Sequence, residues 1–153
     1  MGLTAFVVAV AGVAAHSDTR DPAATIRSAS FRSFADAADA GEVQRGWLAA
    51  SVPRDAVDLV EWHDLGTAEC YGAFTLARAA ALDPAPAPAG FAHRVAAAQR
   101  VHPEDARLAR VARSRDVFVA CKDSGKFASI VAVIARDAEA GVYWCEPRLC
   151  SQR

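Results

Sequence analysis

Residues 57–77 read VDLVEWHDLGTAECYGAFTLA, and their pattern decides the fold. Two runs rich in β-branched and aromatic residues flank Leu65-Gly66, where the chain can reverse. Val57–Asp64 and Ala68–Ala77 are therefore expected to pair as an antiparallel hairpin across a two-residue turn. Alternation places Val57, Leu59, Glu61 and His63 on one face with Ala68, Cys70, Gly72 and Phe74. Val60, Trp62, Glu69 and Tyr71 share the other face. A two-residue turn sets Glu61 opposite Cys70, and a slip of one residue would exchange the two faces.

Upstream, Ser33 can cap a helix that carries Asp36 in its first turn, runs through Ala40 and stops at Gly41. A short helical turn is expected over Trp47–Ala50, ended by Pro53. Asp18–Ala29 reads as a polar lead-in. Downstream, Pro84, Pro86 and Pro88 alternate with alanine, so the stretch 81–90 is an extended loop. Helices follow over His93–Gln99 and Pro103–Arg113, the second with proline and acidic residues at its start. The remaining pattern is strand: Val117–Lys122, Phe127–Ala135 and Val142–Cys145. Ile130, Val131, Val133 and Ile134 make the middle run apolar on both faces, as expected of a central strand covered on both sides. The expected fold is α+β: an antiparallel sheet of about five strands with two or three helices packed on one face. One domain over 31–153 would follow a lead-in at 16–30.

Leu3–Ala15 (LTAFVVAVAGVAA) carries no charge and ends in small residues, and the chain is polar from His16 onward. It is too short to cross a bilayer comfortably and has the length of a secretory signal core, with cleavage expected after Ala15. No Lys or Arg precedes it, unlike an ordinary signal, so a buried element of the core and a retained anchor stand as alternatives. The signal reading makes the protein periplasmic or secreted, with no stable membrane span. Net charge is −1, which argues against nucleic acid as a partner.

Cys70, Cys121, Cys145 and Cys150 are an even set, which in an exported chain favours disulfides. Four cysteines allow three pairings. The short spacing of Cys145 and Cys150 favours Cys145–Cys150, leaving Cys70–Cys121. In a cytosolic chain the same residues would be buried thiols. The isolation of Cys70 and Cys121 argues against a structural zinc site, and no metal or other cofactor is expected.

Functional groups are densest at Glu61-Trp62-His63-Asp64. Glu61 and His63 share a face and are the candidate catalytic pair, as base or metal ligand. The plainer reading lets His63 and Asp64 bond the hairpin turn. Trp62, Asp64 and Tyr71 are candidate binding residues, and an exposed apolar patch around Trp62 and Tyr71 would be the sign of a third possibility, an inhibitor-like or partner-binding module. Gly46-Trp47-Leu48 reads as a core anchor. Arg107, Arg110 and Arg113 lie three apart on one helix face. They could meet an anionic surface or another envelope protein, although such stripes are more often solvated, here with Glu104 beside Arg107. Asp123-Ser124-Gly125-Lys126 is too short for a phosphate loop and reads as a turn; no other catalytic or nucleotide-binding motif stands out.

Gly46-Trp47-Leu48, Pro53, Glu61, His63-Asp64, Thr67 and Phe74 together resemble a segment of small bacterial exported proteins and lipoproteins without a known activity. Their pattern runs Gly-Trp-Leu-Pro, Leu-Pro, Ile-x-Glu-x-His-Asp, Asp-Thr-Asn and an aromatic strand. This chain departs from it at Ala49, Val52, Gly66 and Ala68. The resemblance implies export and an α+β fold, and it carries no catalytic residue over. The leading expectation is a non-enzymatic exported domain that binds a ligand or serves the cell envelope. Its rival is a small hydrolase or metal-dependent enzyme using Glu61 and His63. An open pocket with a third polar group converging on that pair would favour the rival; a packed His63 bonded to the hairpin backbone would remove its support.

Overall fold

A computed structural model describes residues 25–67, 69–76, 90–114, 117–122, 130–135 and 140–145. The signal-like Leu3–Ala15, most of the proline-alternating loop, the Asp123–Lys126 turn and Cys150 lie outside them. Among the described residues the chain runs β1 (Ile26–Ser33), α1 (Phe34–Asp39), α2 (Glu42–Arg45), β2 (Ala56–Asp64), β3 (Glu69–Leu76), α3 (Phe91–Val101), α4 (Ala106–Arg113), β4 (Val117–Lys122), β5 (Ile130–Ala135) and β6 (Ala140–Cys145). All strand pairs are antiparallel, in the order β1-β2-β3-β6-β5-β4. The α+β antiparallel class is the expected one.

Three details depart from expectation. The sheet has six strands, and the additional one, β1, begins inside the supposed lead-in. Its residues Arg27, Ser28, Ser30 and Arg32 are all exposed, so little apolar alternation marks this edge strand. The helices do not share one face. α1 and α2 cover a core of Phe34, Ala37, Leu48, Leu59, Phe74 and Tyr143. On the opposite face α3 and α4 bury Phe91, Val95, Leu108 and Val111 against Trp62, Val142 and Trp144. Period-two alternation identifies the two faces of a strand but not which helix covers which.

The third departure is the hairpin register. Asp64 pairs with Glu69, His63 with Cys70 and Glu61 with Gly72, so the connection is four residues long and Glu61 does not oppose Cys70. The displacement is two residues, which preserves the expected faces from Leu59 to Asp64, whereas Val57 pairs with Thr75 and falls on the face away from Leu59. Within β2 the register shifts between Val57 and Val60, where Asp58 has φ 49°. Its carbonyl oxygen accepts a hydrogen bond from Arg107, which holds α4 to the irregular strand.

Local signals account for the helices. Ser33 Oγ accepts from the Asp36 amide at 3.1 Å, and α1 ends before Gly41 as expected. Left-handed Gly41 and Gly46 then bracket α2, which replaces the helical turn expected at Trp47–Ala50. α4 begins at Ala106, not at Pro103, because Asp105 accepts from the Arg107 amide and caps it. β5 lies between β4 and β6, with Ile134 in one core and Ala135 in the other, as its two-faced pattern predicts.

Candidate functional site

Glu61 and His63 project from β2 toward α2, and the structure brings them together: His63 Nδ1 lies 2.6 Å from Glu61 Oε1. Gly72 sits opposite Glu61, and the Tyr143 ring occupies the space a side chain there would need. Trp47 stacks on the His63 ring with centroids 4.1 Å apart, and the Arg45 guanidinium lies over the other partner of that stack, Trp47. A third polar group converges from α2. Glu42 is bonded through Oε1 to Arg45 Nη2, and its carboxyl is within hydrogen-bonding reach of Glu61. Burial raises the Glu61 carboxyl above its ordinary range; the bond to His63 opposes this and the Glu42 charge adds to it. Tyr143 donates to the Trp47 carbonyl at 3.3 Å, and burial beside Glu61 and Glu42 lifts its hydroxyl well above the usual tyrosine range.

This cluster is closed. The side chains of His63 and Glu61 are 12% and 2% exposed, so a substrate does not reach the pair while Trp47 covers it. His63 is bonded to Glu61, and its expected role in the hairpin turn falls to Asp64 alone. Asp64 Oδ1 accepts from the Gly66 amide at 2.7 Å, which with further turn hydrogen bonds holds its carboxyl below the ordinary range. Among the described residues no group of three His, Cys, Asp or Glu is placed to hold a metal ion.

The other candidates fall on the opposite face. Trp62 is 4% exposed and stacks on His102 at 4.1 Å, so among the described residues it forms no exposed apolar patch with Tyr71. Tyr71 bonds His102 Nε2 through its hydroxyl at 3.0 Å, and burial, with the charges of Asp64 and Glu69, pushes that hydroxyl up to about 12. Burial lowers His102 below the ordinary histidine range, against the pull of Glu104. Arg107 does not pair with Glu104; its guanidinium grips Asp105 and the Asp58 carbonyl, so it is no free member of a basic stripe. Arg110 and Arg113 are exposed.

Where β1 and β2 extend beyond α4, two shallow grooves open. One, of about 520 Å³, is lined by Ser30, Arg32, Asp58, Val60, Thr75 and Arg107 among others. Its neighbour, of about 440 Å³, is bounded by Ser28, Trp62, Glu104 and Asp105. Neither is lined by Glu61 or His63.

The disulfide overturns the expected pairing. Cys70 and Cys145 are bonded, with Cα atoms 5.0 Å apart, so neither Cys145–Cys150 nor Cys70–Cys121 forms. The reason is topological: β6 inserts beside β3, which makes residues separated by 75 positions direct neighbours. The two sulfurs lie beneath the Gly46 and Trp47 carbonyls, at 3.4 and 3.9 Å. Spacing along the chain carried no sign of this pairing. Glu42 was equally hidden, because an acidic residue in a first turn reads as an exposed helix-end charge. Trp47, expected as a core anchor, is half-buried, and Leu48 fills that role.

Residues 25–75 match a protein family described as the YbbD head domain. The matched stretch contains β1, α1, α2, β2 and nearly all of β3, hence both Glu42 and the Glu61–His63 pair. No curated protein matches the chain, and no solved structure does.

Proposed function

We propose that this protein is an exported domain, periplasmic or secreted, that binds a partner at the cell envelope and does not catalyse a reaction. The observation that supports the reading is the Cys70–Cys145 bridge between two central strands, since disulfides form and persist chiefly in oxidising compartments. The signal-like Leu3–Ala15 supports the same compartment. The closed packing of Glu61 and His63 under Trp47 counts against the hydrolase reading, although the two groups are in contact. The surface offered to a partner is the flank of β1. Among the described residues this strand has a strand neighbour on one side only. An edge strand presents main-chain donors and acceptors to an extended segment, and Arg27 and Arg32 there favour one bearing acidic residues.

The test is intact mass of the protein from fractions of its native host, alkylated with and without prior reduction. The reading expects recovery outside the cytoplasm, with Cys70 and Cys145 alkylated only after reduction. A cytosolic protein with both thiols reactive at once would overturn it.

A further inference from the structure

Two glutamates from different elements meet in the first core, and ordinary electrostatics does not let them do so as two bare carboxylates. Glu42 is 5% exposed and Glu61 is 1% exposed. Each has one oxygen already engaged: Glu42 Oε1 by Arg45, and Glu61 Oε1 by His63. Each has its other oxygen, Oε2, buried without a donor. Glu61 and Glu42 are nevertheless within hydrogen-bonding reach of each other. Two buried acceptors facing one another repel and leave both unsatisfied; a single proton between them removes both penalties.

We propose that Glu61 holds a proton that it donates to Glu42, and that this acid pair is a pH-sensitive latch fastening α2 and the Gly46–Leu48 segment to the sheet. The groups facing the pair are Arg45 from α2, His63 from the same strand as Glu61, and Tyr143 from β6. Tyr143 keeps its proton and donates it to Trp47, so it cannot supply the missing donor. Arg45 and His63 are spent on the Oε1 atoms. When the proton leaves to solvent, the two carboxylates repel. Glu42 sits on α2, a four-residue helix between two left-handed glycines. Its displacement carries Trp47 off His63 and exposes the Glu61–His63 pair.

The sign follows from linkage. Glu61 binds its proton more tightly in the fold than in the unfolded chain, so its contribution to stability is complete below about pH 4.5 and is lost as pH rises through the folded-state value. The experiment uses the full chain with its disulfide intact. The ¹³Cδ resonances of labelled glutamates are followed from pH 4 to pH 9, with Glu61 assigned by its loss in Glu61→Gln. Thermal midpoints are measured over the same range for the wild type, Glu61→Gln and Glu42→Gln. Either glutamine can donate across the pair without a titratable proton. Glu61 is expected to ionise above an ordinary glutamate. The midpoint advantage of each variant over the wild type should grow by roughly 3 °C or more between pH 5 and pH 8. A Glu61 resonance that titrates at or below the position of an ordinary, exposed glutamate would overturn the proposal, whether or not the variants fold. So would folded variants whose midpoints track the wild type at every pH.

Discussion

Single atoms decide the close packing of this sheet. At Gly72 and Gly141 there is no room for a methyl group: a Cβ at Gly72 would run into the Tyr143 ring and the Val60 carbonyl, and one at Gly141 into the Phe74 ring. Neither glycine is in the left-handed region, so the demand is steric and not conformational. Gly72→Ala should therefore destabilise the protein by about 1–3 kcal/mol, the scale of overpacking a filled core. Because the Val60 carbonyl belongs to the sheet ladder and cannot swing away, the upper end is expected. Urea unfolding of the variant checks this, and a loss below about 0.5 kcal/mol would mean that the sheet yields freely at β3. The Ser33 cap is the contrasting case. Ser33→Ala removes one acceptor at an exposed helix start and should cost about 1 kcal/mol. The serine was legible in the sequence because capping is local, with donor and acceptor three residues apart. The glycines were not, since the rings that fill their space come from strands distant in the chain.

Elements are legible where their signals are local and blurred where partners choose them. β2, β3 and α1 follow from alternation and a cap. From Leu59 onward the faces of the hairpin survive the four-residue connection because a slip of two leaves parity intact, while the bulge at Asp58 reverses Val57. β1 escaped notice because an edge strand needs little apolar pattern, and the start of α4 was displaced by the choice between Pro103 and Asp105 as boundary. The role of Asp105 sets up a test. Burial alone would raise its carboxyl, but the side-chain and backbone bonds of Arg107 outweigh this and hold it below the ordinary range. Arg107→Ala strips away that partner, leaves Asp105 half-buried and frees the Asp58 carbonyl. A loss of about 1.5–3 kcal/mol is expected, the range for charge-assisted hydrogen bonds. Faster amide exchange confined to α4 and the Asp58 region would locate the damage. At the α3–α4 junction, burial depresses His102, so the fold disfavours its charged form. Its contribution is complete above about pH 6.5 and is lost as pH falls through the folded-state value. His102→Gln should flatten the acid side of the stability profile; a variant with the same acid limb as the wild type would remove His102 as its cause.

At the scale of the whole molecule, the Cys70–Cys145 bridge joins the part of the chain that matches the head-domain family to the part that does not. Residues 25–75 supply β1, β2, most of β3 and the helices of one face. That piece leaves β3 without its β6 neighbour and leaves Trp62 uncovered by α3 and α4, so it needs the second half to complete both cores. The bridge makes this dependence covalent across a separation of 75 residues. The chain-entropy relation gives about 4.5 kcal/mol for a loop of that length, from a restricted unfolded state and not from any new native contact. Cys70→Ala with Cys145→Ala isolates this bridge from the remaining cysteines. The double variant should keep the sheet and lose about 2–4 kcal/mol of stability. Its denaturant slope should rise, because an uncrosslinked unfolded chain exposes more surface. An unchanged slope with a full loss of stability would place the effect in the native state, in the sulfur packing beneath Gly46 and Trp47. In that case the latch segment above the disulfide would loosen first, and exchange at residues 42–48 would outrun that of β3 and β6.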